Sequence, residues 1–269
     1  MDTSYSVLMS VHPKENPEYL RHSIQSMMEQ SVPPVEFVLV QNGLLTQELQ
    51  MVIKDFPSLQ KIALKENLGI GKALAIGLQY CKCSLVARMD SDDIAMPNRC
   101  ELQLKAFALD PQLDLVGGQV VEFIPGKTYK VGKSVPLSME EIIEFSKKRN
   151  PINHMTVMFK KESVIRAQNY QDCPNFEDYD LWIRMIQSGM KMCNLPSILA
   201  QVRLAEDGYS KRGGLSYLMA LIAFQNRIYR YGYITKKEKY LNCLIRTPVA
   251  MVPNKLRNWL YMSFLRKKK

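Results

Sequence analysis

No stretch of this 269-residue chain approaches the roughly 18 to 20 consecutive apolar residues that a helix needs to cross a bilayer. Its six cysteines, at positions 81, 83, 100, 173, 193 and 243, lack Cys-x-x-Cys spacing, so neither a zinc site nor a disulfide framework is expected. Met1 to Tyr5 carry no basic region ahead of the first apolar run and no small-residue cleavage site, so no secretory signal is read. These absences lead us to expect a reducing, cytoplasmic setting. There is no internal repeat and no low-complexity tract. A composition of 46% hydrophobic and 23% charged residues excludes a disordered or fibrous chain. Gly69 and Gly71, in Glu66-Asn-Leu-Gly-Ile-Gly-Lys-Ala-Leu74, form neither Gly-x-Gly-x-x-Gly nor a phosphate loop ending in Gly-Lys-Ser/Thr.

Positive charge is present but uneven. From Thr235 to Lys269 ten Lys or Arg face a single acid, Glu238, so this end holds +9 of the formal +10 and the body is nearly neutral. Within it, Lys255 to Lys269 would set Leu256, Trp259, Leu260 and Phe264 along one side of a helix with cations at both ends. Such a helix suits an anionic membrane leaflet, or it packs on the body and leaves a solvated basic terminus. Aromatic interleaving is sparse, which argues against nucleic acid as a partner.

The apolar patterning alternates strand and helix through about the first 95 residues. Strands are expected at Tyr5 to Val11, Glu36 to Val40, Lys61 to Leu64 and Leu85 to Met89. Helices are expected at Asn16 to Gln30, at Thr46 to Phe56, and through Leu74 to Tyr80. That order implies an α/β fold with a right-handed, mostly parallel sheet flanked by helices, whose ligands bind at the carboxyl ends of the strands. Three polar loops converge there: Ser10 to Asn16, Gln41 to Leu44, and Asp90 to Asp93. Beyond Pro111 the pattern is mixed. Leu115 to Phe123 reads as a strand with a partner through Val131, Met139 to Lys147 as a helix, Asn150 to Phe159 as a strand entry, and Tyr179 to Ser188 as a helix. We expect a catalytic domain over 1–215 and a helical, basic extension over 216–269.

The cluster Arg88-Met89-Asp90-Ser91-Asp92-Asp93 directly follows the apolar run Ser84-Leu85-Val86-Ala87. Carboxylates emerging together from a buried strand repel unless a cation neutralises them, and hard oxygen ligands suit Mg²⁺ or Mn²⁺. Taken alone, the run also reads as a cap for the helix expected from Pro97 to Phe107. A second acidic group, Glu177-Asp178-Tyr179-Asp180, opens a helix whose dipole favours negative charge; it suits either a base near an acceptor hydroxyl or ordinary first-turn acids. Lys72 sits in the first turn of the third helix, where it would meet a phosphate or face solvent, and Asn67 is placed to cap that helix. His154 is read as a structural histidine or a catalyst, and His12 as a nucleotide contact or a turn residue.

Six segments, in order, carry a resemblance: Tyr5-Ser-Val-Leu-Met-Ser-Val-His12, Val40-Gln-Asn-Gly43, Asn67-Leu-Gly69, Met89-Asp-Ser-Asp-Asp93, His154-Met-Thr-Val-Met-Phe159 and Glu177-Asp-Tyr-Asp-Leu-Trp182. Together they resemble family 2 glycosyltransferases of the GT-A fold, of the bacterial type that builds capsular and exopolysaccharides such as amylovoran, over about residues 5 to 230. The resemblance implies an inverting transfer of a sugar from a nucleotide diphosphate, UDP by preference, to a hydroxyl of a growing, lipid-linked surface polysaccharide at the cytoplasmic face of the membrane. It implies that Ser10, Val11, His12 and Glu15 line the nucleotide and that Gln41 and Asn42 occupy the place where relatives carry acids that read the base. It places Asn67 and Lys72 beside the uridine and diphosphate, and Asp90 and Ser91 near the ribose and metal. Asp92 would be the main ligand of Mn²⁺ or Mg²⁺, Asp178 the general base and Glu177 its neighbour in the acceptor pocket. Relatives carry Arg-x-His-x-x-Ser where this chain has Arg203-Leu-Ala-Glu-Asp-Gly-Tyr-Ser210, so closure over the diphosphate would fall to Arg203, Ser210, Lys211 or Arg212. A sugar nucleotidyltransferase would need a glycine-rich basic loop after the first strand, which His12-Pro-Lys-Glu-Asn16 is not. A glycosidase would need a carboxylate pair across a sugar bond without a nucleotide. A non-catalytic assembly component of a polysaccharide-synthesis complex is the reading from a different class.

Overall fold

The computed structural model describes residues 4–126, 130–204, 213–253 and 267–268. Its first half is the expected parallel array. Tyr5–Val11 (β1), Glu36–Asn42 (β2), Gln60–Leu64 (β3) and Leu85–Asp90 (β4) alternate with Pro17–Met28 (α1), Gln47–Lys54 (α2) and Ile70–Tyr80 (α3). β1 lies between β2 and β4, and β2 pairs with β3, all in parallel. The register aligns Ser10 with both Val40 and Asp90, and Val11 with Gln41, so the carboxyl ends of three strands finish level at one edge.

Local chemistry explains these boundaries. The Asn16 side chain accepts from the backbone N–H of Glu18 and Tyr19, Pro17 supplies the first turn, and Leu20, Ile24 and Met27 form the buried stripe of α1. Thr46 caps α2 by accepting from Leu49 N–H. Along β1 the side chains alternate: Val7 and Met9 join a core layer with Leu20, Ile24 and Met27, while Leu8 joins a second layer with Val38, Leu74, Leu78 and Trp182. Gly77 lets α3 approach that second layer closely; a Cβ there would lie 2.5 Å from Val40 Cγ2 and 2.6 Å from Leu8 Cδ1.

In the second half the sheet becomes mixed. It contains Ile94–Ala95 (β5), Leu113–Phe123 (β6), Lys130–Lys133 (β7), Met158–Lys160 (β8) and Lys191–Arg203 (β9), with helices Arg99–Leu109 (α4), Met139–Ser146 (α5), Lys161–Arg166 (α6) and Glu177–Gln187 (α7). β8 bridges β4 and β6 antiparallel, β9 runs parallel along β6, and β5 pairs antiparallel with β9. The buried Arg99 fastens α4 to this junction through Nη2, which donates to the carbonyls of Arg88 and Val157. Gly214–Arg230 (α8) packs Leu221, Phe224 and Ile228 on Phe176, Tyr179 and Ile183, and Lys236–Met251 (α9) lies against α8.

The structure corrects one expectation, refines a second and reaches a third only at its end. The Asp90 to Asp93 run does not cap α4: β5 intervenes, and the N-cap residue Asn98 makes no side-chain cap bond. Asn150 to Phe159 does lead into a strand, but only its end is strand. Thr156 bonds back to the Asn153 carbonyl through both its N–H and its hydroxyl, closing a single 3-10 turn at His154–Thr156 before β8. The helix expected over 255–269 lies outside the described residues except at Lys267–Lys268 (β10), where the backbone is extended and pairs with Gly132 and Val131 of β7.

Candidate active site

At the level carboxyl edge of β1, β2 and β4 lies a cavity of about 370 Å³. Ser10, His12 and Glu15 line it from the first loop, Asn42 from the end of β2, Asn67, Gly69 and Ile70 from the start of α3, and Asp90, Ser91 and Asp92 from the end of β4. Its loops are tied to one another. His12 Nδ1 accepts from Lys14 N–H, and Ser91 Oγ donates to Glu15 Oε2 at 2.6 Å, linking the first loop to the acidic run. Asn42 Oδ1 accepts from Leu68 N–H, and Asn67 Oδ1 accepts from Gly69 N–H. Gly43, between them, sits at φ +104°, a left-handed conformation, with the Asn67 backbone against its open side.

The acidic run is balanced from within the fold. Arg88, 1% exposed on β4, donates through Nη2 to Asp90 Oδ1. Its Nε and Nη1 are buried without a hydrogen-bond partner among the described residues. Asp93 is buried and accepts from Arg203 N–H; burial, then the charges of Asp92 and Asp90, hold its carboxyl well above the usual carboxylate range. Because β5 pairs Ile94 with Gln201, the end of β9 reaches this loop, and Arg203 Nε donates to the Asp92 carbonyl at 2.9 Å. The Arg203 guanidinium is stacked between the rings of Tyr19, at 3.9 Å, and Phe123, at 4.9 Å.

The second acidic group opens α7. Asp178 Oδ2 accepts from Asn150 Nδ2 at 2.6 Å, and Oδ1 accepts from Tyr179 N–H at 2.7 Å. Asn150 Oδ1 accepts from Ile152 N–H, which fixes the amide so that its NH₂ faces Asp178. Burial raises the Asp178 carboxyl; the Asn150 and Tyr179 hydrogen bonds and the Arg88 charge oppose that rise. Glu177 is pushed up to about 7, first by burial and then by Asp178. Glu177 also lines a smaller cavity of about 240 Å³ with Lys72 and Asp172, which pair at 2.9 Å, and this cavity shares Gly69 and Ile70 with the larger one.

The sequence model of glycosyl transferase family 2 matches residues 6–172. The chain belongs to glycosyl transferase family 2. It is 38% identical to an uncharacterized glycosyltransferase of Haemophilus influenzae, across 98% of this chain and 99% of that one. It is 36% identical to the amylovoran biosynthesis glycosyltransferase AmsE of Erwinia amylovora, across 96% and 97%. To the UDP-Gal:alpha-D-GlcNAc-diphosphoundecaprenol beta-1,3-galactosyltransferase of Escherichia coli it is 32% identical, across 98% and 97%. Among solved structures it superposes on residues 1–349 of S. aureus TarS in complex with UDP-GlcNAc with a TM-score of 0.61 at 18% identity, covering 84% of this chain and 66% of that fragment. It superposes on the mannosyltransferase PcManGT of Pyrobaculum calidifontis, in complex with GDP-Man and Mn²⁺, with a TM-score of 0.64 at 13% identity, covering 90% and 68%. The fold is GT-A.

For this family 2 glycosyltransferase, most residues named from sequence meet in one place. Ser10, His12, Glu15, Asn42, Asn67, Asp90, Ser91 and Asp92 line the larger cavity, and Glu177 lines its neighbour. Val11 and Gln41 are buried beside it, with Gln41 Oε1 accepting from Gln50. Lys72 points to Asp172 in the smaller cavity, and Arg203 is clamped on the acidic loop. Ser210, Lys211 and Arg212 lie outside the described residues. His154 lines neither cavity: it is buried against Trp182 and bonded to the Tyr170 hydroxyl, and burial, then the Arg88 charge, lowers its pKa well below the usual imidazole range. Sequence reasoning missed the roles of Asn150 and Arg88. An asparagine before proline reads as a turn, and an arginine inside an apolar strand carries no periodic signal.

Asp90 and Asp92 offer hard oxygen donors. Among the described residues no group of three or more His, Cys, Asp or Glu side chains is arranged to hold a metal. That donor set fits an ion of the Mg²⁺ or Mn²⁺ type, held by one or two carboxylates and completed by substrate phosphate oxygens.

Proposed function

We propose that this glycosyltransferase moves a sugar, with inversion, from a nucleotide diphosphate in the larger cavity to a hydroxyl presented at Asp178. The observation that carries the reading is the adjacency of the two cavities across Gly69 and Ile70, with the paired Asp90 and Asp92 on one side and Glu177 beside Asp178 on the other. Asp92, with Asp90, would hold Mn²⁺ or Mg²⁺, which supplies charge stabilisation of the departing diphosphate. Asp178 takes the proton of the acceptor hydroxyl as it attacks the anomeric carbon from the face opposite the nucleotide. Asn150 orients Asp178 and favours its charged form against the burial that raises its pKa. Uridine is the proposed base. Asn42 spends its carbonyl on Leu68 N–H, so its NH₂ is what remains to donate to a uracil carbonyl. The names of TarS bound to UDP-GlcNAc and of the UDP-Gal-dependent E. coli relative support that choice. The same relative's diphosphoundecaprenol substrate supports a lipid-linked acceptor, and with it a peripheral position on the cytoplasmic face of the membrane, the catalytic domain ending near residue 215 and the basic extension following.

Asp178→Asn tests the assignment. Transfer should fall by about 10² to 10⁴-fold, while thermal stabilisation by a UDP-sugar with Mn²⁺ persists. Loss of both, or of neither, rejects the assigned role.

A further inference from the structure

We infer that the outer face of α9 is a docking surface for an anionic lipid bilayer. Every exposed residue of α9 is a lysine or an apolar or aromatic side chain. Leu241 is 48% exposed, Leu244 71%, Ile245 61% and Met251 58%, and the spacing i, i+3, i+4, i+10 puts them on one side of the helix, with the exposed Pro248 completing the stripe. The opposite side holds the body: Asn242 Nδ2 donates to the Lys147 carbonyl and to Gln225 Oε1, and Arg246 bonds the Lys148 carbonyl. A helix face this apolar toward solvent marks a contact surface.

Charge selects the occupant. The exposed Lys236 and Lys237 start the helix, and Lys239 lies 4.7 Å from the Tyr229 ring and 5.0 Å from the Tyr240 ring, an arrangement of cation and aromatic that suits a headgroup boundary. The one acid of α9, Glu238, is taken up in the capping box with Thr235, and α8 contains no acid at all. Cations edging an apolar stripe whose one helix acid is engaged at the cap complement an anionic leaflet. Within the basic C-terminal extension, whose helices the sequence offers for membrane contact, this face lies ahead of the segment 255–269.

The placement joins docking to chemistry. α9 grips the carbonyls of Lys147 and Lys148, and two residues further along the same segment Asn150 holds Asp178. A bilayer against α9 therefore lies on the side of the molecule from which that segment supports the proposed base. This consequence rests on the lipid-linked acceptor proposed above; the docking itself does not.

The test is flotation of the full chain with vesicles of phosphatidylcholine, alone or mixed with phosphatidylglycerol. Wild type should float with the mixed vesicles, and Leu244→Glu combined with Ile245→Glu should reduce flotation roughly tenfold or more. Both sites are exposed, so helicity and stabilisation by UDP-sugar should match wild type. Lys236→Glu with Lys237→Glu should weaken binding to the mixed vesicles in the same direction. Flotation unchanged by Leu244→Glu and Ile245→Glu, or equal for wild type on both vesicle types, overturns the proposal. So does a wild-type dimer that the same pair of substitutions converts to monomer, because the face would then belong to a second copy. Transfer to a soluble acceptor, run in parallel, reports separately on the catalytic reading.

Discussion

Glu177 should make the fold less stable as pH rises, and removing its charge should reverse that. Burial and the neighbouring Asp178 push its carboxyl from the ordinary 4.5 to about 7. The unfolded chain therefore releases this proton first as pH rises, the folded chain holds it longer, and folding is penalised once both have ionised. Below pH 4.5 both states are protonated and the residue contributes nothing. A tenfold change in proton affinity corresponds to about 1.4 kcal/mol, so above pH 7 the penalty reaches about 3 kcal/mol. Glu177→Gln keeps the shape and removes the ionisation. Its stability advantage over wild type should grow from about 1 kcal/mol at pH 5.5 to about 3 kcal/mol at pH 8. For a chain of this length the larger figure corresponds to a midpoint rise of about 5 °C. Urea unfolding at the two pH values measures the gap, and any constant effect of the amide cancels in the difference between them. A gap that does not change with pH refutes the reasoning. The gain should come with a loss of transfer, because a carboxyl kept at the edge of ionisation at the cost of stability is the pattern of a functional site.

Two further outcomes follow from the packing. Asn150→Ala removes the amide that favours the charged Asp178, so the acid limb of kcat/KM should move to higher pH with the donor KM unchanged; a pH profile that does not move rejects the positioning role. Gly77→Ala should destabilise the fold by about 1 to 3 kcal/mol in denaturant titrations, despite the better helix propensity of alanine, because the new methyl meets Val40 and Leu8 at the tight contact of α3 with the sheet. An equal or more stable variant would mean that α3 can move away from the sheet.

The parallel half was legible because each of its elements is signalled locally. Asn16-Pro17 opens α1, Thr46 opens α2, and the apolar runs of β1, β2 and β4 are buried on both faces and need no pairing information to be found. The candidate site was legible for the same reason: Ser10, Asn42 and Asp90 each stand at the carboxyl end of such a run, and strand register brings Ser10 level with Asp90 and places Asn42 just beyond them. The second half depends on long-range pairing. β5 is two residues long and exists because β9 pairs with it more than a hundred residues later, and the position of Arg203 on the acidic loop follows from that pairing. Asn150 meets Asp178 across 28 residues through a turn whose sequence, Asn-Pro-Ile-Asn, does not specify its partner. α9 was masked for another reason: its outer face reads as a core stripe, and only the fold shows which side the body covers.

Arg88 explains how so many acids coexist in this small region. Asp90, Asp93, Glu177 and Asp178 all approach a buried part of the fold, where neighbouring like charges raise one another's proton affinity. Arg88 enters among them from β4 with 1% exposure, pairs with Asp90, and lowers the carboxyls of Asp93, Glu177 and Asp178 against the burial that raises them. A buried guanidinium with two unpartnered nitrogens is costly in isolation. Here the surrounding carboxylates offset that cost, and burial and Asp90 act on its own titration in opposite directions. The acids of the larger cavity and those at the start of α7 therefore share one counter-charge. Neutralising Asp90 frees part of the Arg88 charge to act on Asp178, so the two ends of the site are electrostatically linked through the interior of β4.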